Sequence, residues 1–247
     1  GIITIADESL LEKSKRENKL INILKNALNQ GKFEVYYQPI YSVKQKRYTT
    51  AEALIRLYDT ELGFISPEEF IPIAEKNGLI LQIGVFVFRS VCEFIAREKI
   101  WEKGLKYIHI NLSVIQCMQE KLYDQLLTIM DNYHLNYNCI QFEVTESIAV
   151  ASSEIFISNM NRLIEKNVYF ALDDYGTGFS NTSSILKYPF HAVKLDKSIV
   201  WDSMKNTKSK KLISHTISMF KDMDITVVAE GIETKEMVEL FTQMDCD

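Results

Sequence analysis

The sequence has little of what a histidine or thiolate metal centre would need. Its four histidines, His109, His134, His191 and His215, show no H-x-x-x-H spacing, which argues against a histidine-based zinc site. Its four cysteines, Cys92, Cys117, Cys139 and Cys246, form no C-x-x-C pair and sit in apolar or helical contexts. They read as reduced, packed thiols rather than a disulfide framework. No apolar run reaches the roughly 18 residues that cross a bilayer; the best, Leu79 to Phe88, is short and holds Gln82. No signal-peptide pattern opens the chain. The expected location is cytoplasmic, with no direct membrane insertion by this segment. The first residue is Gly1 rather than Met, which suggests a segment of a longer protein, with an anchor elsewhere left open.

Basic excess is also lacking. The formal net charge is -5, which argues against non-specific binding of a nucleic-acid polymer. It does not argue against a nucleotide substrate, because bound metals can invert the local charge.

What is present is an ordinary globular composition, 47% hydrophobic and 25% charged over 247 residues. That is enough for one large α/β barrel or two small domains. Residues 1–18 are polar after a short apolar start and read as a linker or the end of a preceding domain. Leu20, Ile23, Leu24, Ala27 and Leu28 then follow helical spacing, with Gly31 as a stop. Two strands, Phe33 to Ile40 and Thr49 to Leu57, join through a short polar turn and so form an antiparallel pair. Helices are predicted at Pro67–Lys76, Ile83–Arg97, Lys121–Tyr133, Glu154–Lys166, Lys208–Met223 and from Thr234 onward. Strands are predicted at Tyr107–Leu112, Ile140–Val144, Val168–Leu172, Ala192–Leu195 and Ile225–Ala229. Such alternation predicts a mainly parallel sheet with helices outside, and a (β/α) barrel is the leading architecture.

The informative pattern is what ends each apolar strand. Ile108-His109-Ile110 runs into Asn111, Gln141-Phe142 into Glu143, and Phe170-Ala171-Leu172 into Asp173-Asp174. Val193 leads into Lys194-Leu195-Asp196, and Val227-Val228-Ala229 into Glu230. An earlier strand carries Glu52. In a barrel the carboxyl ends of the strands converge on one face, so these side chains can meet. Seven oxygen-bearing groups without imidazole or thiolate suit a hard cation, Mg²⁺ or Mn²⁺. Singly, each has a plainer reading: Asn111 can cap a helix, Asp173-Asp174 can make an Asx turn, and Lys194 can be a surface side chain. Jointly, intervals of 32 positions from Asn111 to Glu143, 30 from Glu143 to Asp173 and 34 from Asp196 to Glu230 give about one polar group per βα unit.

These runs also resemble a known family. Glu52-Ala53-Leu54 looks like the signature that names the EAL domain. Tyr36-Tyr37-Gln38-Pro39-Ile40, Phe70-Ile71-Pro72-Ile73-Ala74-Glu75, Gly78-Leu79-Ile80, Asn111-Leu112-Ser113, Phe142-Glu143-Val144-Thr145-Glu146-Ser147, Asp173-Asp174-Tyr175-Gly176-Thr177-Gly178, Lys194-Leu195-Asp196 and Ala229-Glu230-Gly231-Ile232-Glu233-Thr234 follow in the family's order. The resemblance covers about residues 19–247 as one domain. It implies a modified TIM (β/α)8 barrel with one antiparallel strand that hydrolyses cyclic di-GMP to linear pGpG. Glu52, Asn111, Glu143 and Asp173 would hold a first metal; Asp173 and Asp174 would hold a second, with Glu230 near it. Lys194 would contact the attacking water, and Glu146 would anchor a loop from Asp174 to Ser184. Gln38, Leu54, Arg56 and Asp196 would bind substrate. Ca²⁺ is expected to inhibit. Partners implied are cyclic di-GMP, a second copy in a homodimer, and fused GGDEF or sensor domains; Ala6-Asp7-Glu8-Ser9-Leu10 faintly resembles the last helix of a GGDEF domain.

The sequence departs from the family's pattern. His191 stands where an acid usually precedes the catalytic lysine, and reads as a neutral replacement. The chain stops at Asp245-Cys246-Asp247, before a Gln-Gly-Tyr run and a closing strand and helix, so the C-terminal closing elements are expected to be missing. The competing readings are a catalytically impaired domain that binds cyclic di-GMP as a receptor, a protein-interaction domain, and another acid-rich metal barrel.

Overall fold

The structure, a computed structural model, describes residues 8–145, 154–177 and 188–247. Helix α1, Glu8–Gln30, begins well before the predicted start and runs across residue 18. It docks on the body through Leu20, Leu24 and Ala27, all buried, and through exposed ion pairs of Arg16 with Glu69 and Lys76 with Glu17.

Strand β1 (Phe33–Ser42) pairs antiparallel with β2 (Arg47–Asp59). Strand β3 (Gly63–Ile65) adds a second antiparallel partner to β2; three residues carry too little pattern to be foreseen. Then follow α2 (Pro67–Lys76), α3 (Ile80–Glu98), β4 (Tyr107–Asn111), α4 (Val114–Cys117) and α5 (Leu122–Asn132). The second half holds β5 (Ile140–Thr145), α6 (Glu154–Ile164), β6 (Tyr169–Tyr175) and β7 (Ala192–Leu195). It ends with α7 (Lys197–Lys205), α8 (Thr207–Asp222), β8 (Thr226–Ala229) and α9 (Lys235–Gln243). Helix α7, absent from the sequence reading, starts on an Asp196 cap.

The sheet order is β1-β2-β4-β5-β6-β7-β8, parallel from β2 onward. This is a TIM-barrel-like sheet with one antiparallel strand. Among the described residues no strand joins β8 to β1, so the barrel is incomplete. Asp247 links the two edges instead: its N–H donates to Val227 O at 2.9 Å, and its carbonyl accepts from Val43 N at 2.9 Å.

Period-two alternation sorts the strand side chains. Ile108, Ile110, Phe142, Val144, Phe170, Leu172, Val193 and Leu195 are buried in the apolar core. The Phe88 ring of α3 lies 5.7 Å from Phe142, which lies 5.7 Å from Phe170, so this face packs on the helices. The residues between them, His109, Asn111, Glu143, Asp173 and Lys194, therefore point to the inner face. The four cysteines are buried and unpaired. Among the described residues no helix is long and apolar enough to cross a membrane.

Candidate active site

Lys194 is the centre of the inner face. Only 3% of its side chain is exposed, and Nζ lies 2.8 Å from Glu230 Oε1, 2.9 Å from Glu143 Oε2, and 3.2 Å from both Glu52 Oε2 and Asp173 Oδ1. The plainer reading of Lys194 as a surface side chain is thereby corrected: its strand buries it on both sides. Burial works against its charge, but Glu143, Asp173, Glu52 and Glu230 outweigh that and hold its pKa well above the usual range. The carboxylates feel the opposite balance. Desolvation pushes Glu143 up to about 7 and Glu230 up to about 7, although Lys194 pulls both down. Four acids around one ammonium leave the cluster short of positive charge.

Asn111 completes the first rank of strand-end groups. Its Nδ2 donates to Glu52 Oε1 at 2.8 Å. It does not cap the following helix; Ser113 does that, in a capping box with Gln116. The amide is thus left to the acids.

Asp173 and Asp174 are consecutive, and adjacent strand residues ordinarily face opposite ways. Here the β6–β7 register slips between Leu172 and Tyr175, and Asp174 has a left-handed φ of 56°. A non-glycine residue adopts that conformation only where its surroundings hold it. The slip brings both aspartates to one place: Asp173, Asp174 and Glu230 each offer an oxygen, all within 4.8 Å of one another. Such an all-oxygen set fits a hard divalent cation.

Gly231 follows Glu230 with a left-handed backbone. It adopts φ +65°, and a Cβ there would lie 2.7 Å from Lys197 Cβ and 2.9 Å from Trp201 Nε1. Trp201 Nε1 donates to the Gly231 carbonyl at 2.8 Å.

Asp196, expected at the substrate, caps α7: Oδ1 accepts from Ser198 N at 2.8 Å and also from the Ser198 hydroxyl. Gln38 pairs in register with Glu52, Tyr36 with Leu54 and Glu34 with Arg56. Leu54 and Arg56 are half-buried while Gln38 is exposed. These side chains run up one face of the hairpin from the acids. Arg56 donates to the Ile55 carbonyl at 2.9 Å, and its Cζ lies 5.8 Å from the Tyr36 ring centre. Tyr58 and Phe64, both about half exposed, pair at 5.4 Å above it. Glu146, and residues 178–184 of the loop it was expected to anchor, lie outside the described residues. His191 stacks on Tyr169 with ring centres 4.5 Å apart.

One residue of the site was missed in the sequence. His109 is buried, with Nδ1 2.7 Å from Glu143 Oε1 and Nε2 3.1 Å from Thr50 Oγ1. Burial holds its ring neutral, with a pKa pushed down to about 3. The available signal was its place two residues before Asn111, hence on the same strand face.

Comparison with known proteins places the chain among relatives of the same fold. The chain is 32% identical to the signalling protein YkoW of Bacillus subtilis over 227 residues, which is 91% of this chain and 28% of YkoW. It is 27% identical to the bifunctional diguanylate cyclase/cyclic di-GMP phosphodiesterase MucR of Pseudomonas aeruginosa over 98% of this chain and 35% of MucR. The chain therefore spans about a third of such relatives or less. The PaMucR phosphodiesterase in complex with c-di-GMP superposes with a TM-score of 0.84 at 28% identity, over 93% of each chain. The EAL enzyme Bd1971, bound to cAMP and cyclic-di-GMP, gives 0.87 at 29% identity over 97% of this chain and 64% of that one. The EAL domain family model matches residues 21–247; on that match, and with the barrel and its ordered strand-end acids described above, the chain belongs to the EAL domain family.

Proposed function

We propose that this domain hydrolyses cyclic di-GMP to linear pGpG with two divalent cations, Mg²⁺ or Mn²⁺. The observation that carries the reading is the crowding of Glu52, Glu143, Asp173 and Glu230 around one buried lysine, with Asp174 joining Asp173 and Glu230. Burial raises the pKa values of Glu143 and Glu230, and the neighbouring Asp173 carboxylate adds to the rise. Bound divalent cations oppose that rise. Glu52, Asn111, Glu143 and Asp173 would hold one ion, and Asp173 and Asp174, beside Glu230, the other. Two such ions, when bound, lower the pKa of a water and clamp the attacking and leaving oxygens in line.

The chain's own groups supply the remainder. Lys194 stays cationic among the acids and is placed to orient the attacking water and steady negative charge on the phosphate. Arg56 offers a fork of donors that matches a phosphate; leaving the Ile55 carbonyl frees it to do so. Gln38 and Leu54 line the same hairpin face above Glu52, where a guanine and ribose would lie. Asp196 reaches substrate only if its cap on α7 leaves one oxygen available. Glu146 keeps its proposed loop role. The domain works as part of a larger protein, in the cytoplasm, as a homodimer and fused to GGDEF or sensor modules.

The test is incubation of the protein with cyclic di-GMP and Mg²⁺, then chromatography for pGpG. Turnover that stops on chelation supports the reading. Tight binding with no product would instead make the domain a receptor. Ca²⁺ should permit binding, seen as a thermal shift, while blocking turnover.

A further inference from the structure

On the reading of this face as a divalent-cation centre, we propose that His109 is a positioning residue. It ties down one oxygen of Glu143 so that only the other is offered to the cation, and so favours Mg²⁺ over Ca²⁺. His109 lies on β4, whose register sets it opposite Glu52 on one side and Gln141 of β5 on the other. Its ring is 2% exposed, and the Glu143 side chain is 0% exposed. Nδ1 stands 2.7 Å from Glu143 Oε1, and Nε2 stands 3.1 Å from Thr50 Oγ1. Glu143 Oε2 faces the other way, 2.9 Å from Lys194 Nζ.

The chemistry of the partners assigns the proton. An ionised carboxylate only accepts, so Nδ1 carries the hydrogen and Nε2 accepts from the Thr50 hydroxyl. Flipping the ring would turn a carbon towards each partner and break both bonds in a site that water does not reach. The ring is therefore held at both ends, and it holds Glu143 in turn. This is the support that outer partners give to ligating carboxylates.

The consequence is selective. Ca²⁺ is larger and accepts two oxygens from one carboxylate readily, whereas Mg²⁺ demands single oxygens in a tight octahedron. With Oε1 engaged by His109, Glu143 offers a cation only Oε2, the oxygen it shares with Lys194. Removing the Nδ1 donor frees the second oxygen, so Mg²⁺ affinity falls and the preference for Mg²⁺ over Ca²⁺ narrows.

The experiment measures Mg²⁺ and Ca²⁺ binding by calorimetry, without substrate, for wild type, His109→Asn, His109→Leu and Thr50→Val. Asparagine keeps a donor near the Nδ1 position; leucine does not. His109→Leu should weaken Mg²⁺ binding by about 10–100-fold and bring the two ions' affinities closer. His109→Asn should stay within a few-fold of wild type. Thr50→Val, which releases only the far end of the ring, should fall between and provides the test if the leucine variant fails to fold. If wild type binds neither ion, the cation-centre reading falls and this proposal with it. If wild type binds Mg²⁺ and the folded variants match its affinities and preference, this proposal alone falls. It falls also if the asparagine and leucine variants lose binding equally.

Discussion

The ammonium of Lys194 stands 2.9 Å from Glu143 Oε2, with 3% and 0% of the two side chains exposed. The pair joins β7 to β5 across 51 positions of sequence. It makes the lysine the internal counterion of an acid cluster, and it orders what each substitution should do.

Glu52→Ala removes an oxygen that faces Lys194 and releases Asn111 from its 2.8 Å hydrogen bond. Loss of a ligand that supports several kcal/mol of charge stabilisation, at about 1.4 kcal/mol per factor of ten, should cut turnover of cyclic di-GMP by about a thousandfold. Full activity in a chromatographic assay for pGpG would show the site to be misassigned.

Lys194→Ala should lower kcat by about 10²–10³, the usual worth of one positioned donor that stabilises transition-state charge, while Mg²⁺ affinity changes far less. The measurement is kcat against the Mg²⁺ concentration for half-activation. A large change in that concentration with kcat preserved would make Lys194 a structural counterion only.

Stability should fall with pH in the metal-free protein. Desolvation raises the Glu143 carboxyl to about 7 from an ordinary 4.5, so the folded chain holds this proton more tightly than the unfolded one. The stabilisation is complete below pH 4.5 and is lost as pH rises to about 7. Glu230 acts in the same sense, whereas Lys194 stays charged throughout the window. Glu143→Gln removes one of the two acidic contributions, so its urea midpoint in chelator should decline less steeply between pH 4.5 and 7. Parallel profiles would refute the assignment.

Gly231→Ala should distort the approach of Glu230. A Cβ would meet Lys197 and Trp201 at a positive φ. Strain of about 1–3 kcal/mol, at about 2–4 °C per kcal/mol for a domain of this size, predicts a melting temperature lower by roughly 2–12 °C, together with reduced turnover. An unchanged melting curve would mean that the turn relaxes freely.

Much of the architecture was legible because strands and helices alternate with clear periods. Pro67–Lys76 and Ala192–Leu195 were placed to the residue; in the structure a Ser66 cap and Pro67 open the first, and Asp196 follows the second. The strand-end oxygens were legible for the same reason, since each closes an apolar run. The backbone device that aims Asp173 and Asp174 together was not, because a register slip and a left-handed residue leave no composition signal. Nor was His109, whose partners lie 34 and 59 positions away. The Ser113 cap that spares Asn111 was hidden by the neighbouring asparagine, an equally good capping residue.

The antiparallel hairpin has a further consequence. Strand β2 does not stop at Glu52 but continues to Asp59, about 20 Å of extended chain beyond the acids, carrying Leu54, Arg56 and Tyr58 on one side. Under the proposed function, grip and cleavage would occupy different stretches of a single strand. A lineage could rewrite the upper stretch to change what is held, or lose the lower one and keep holding it, without rebuilding the barrel in either case.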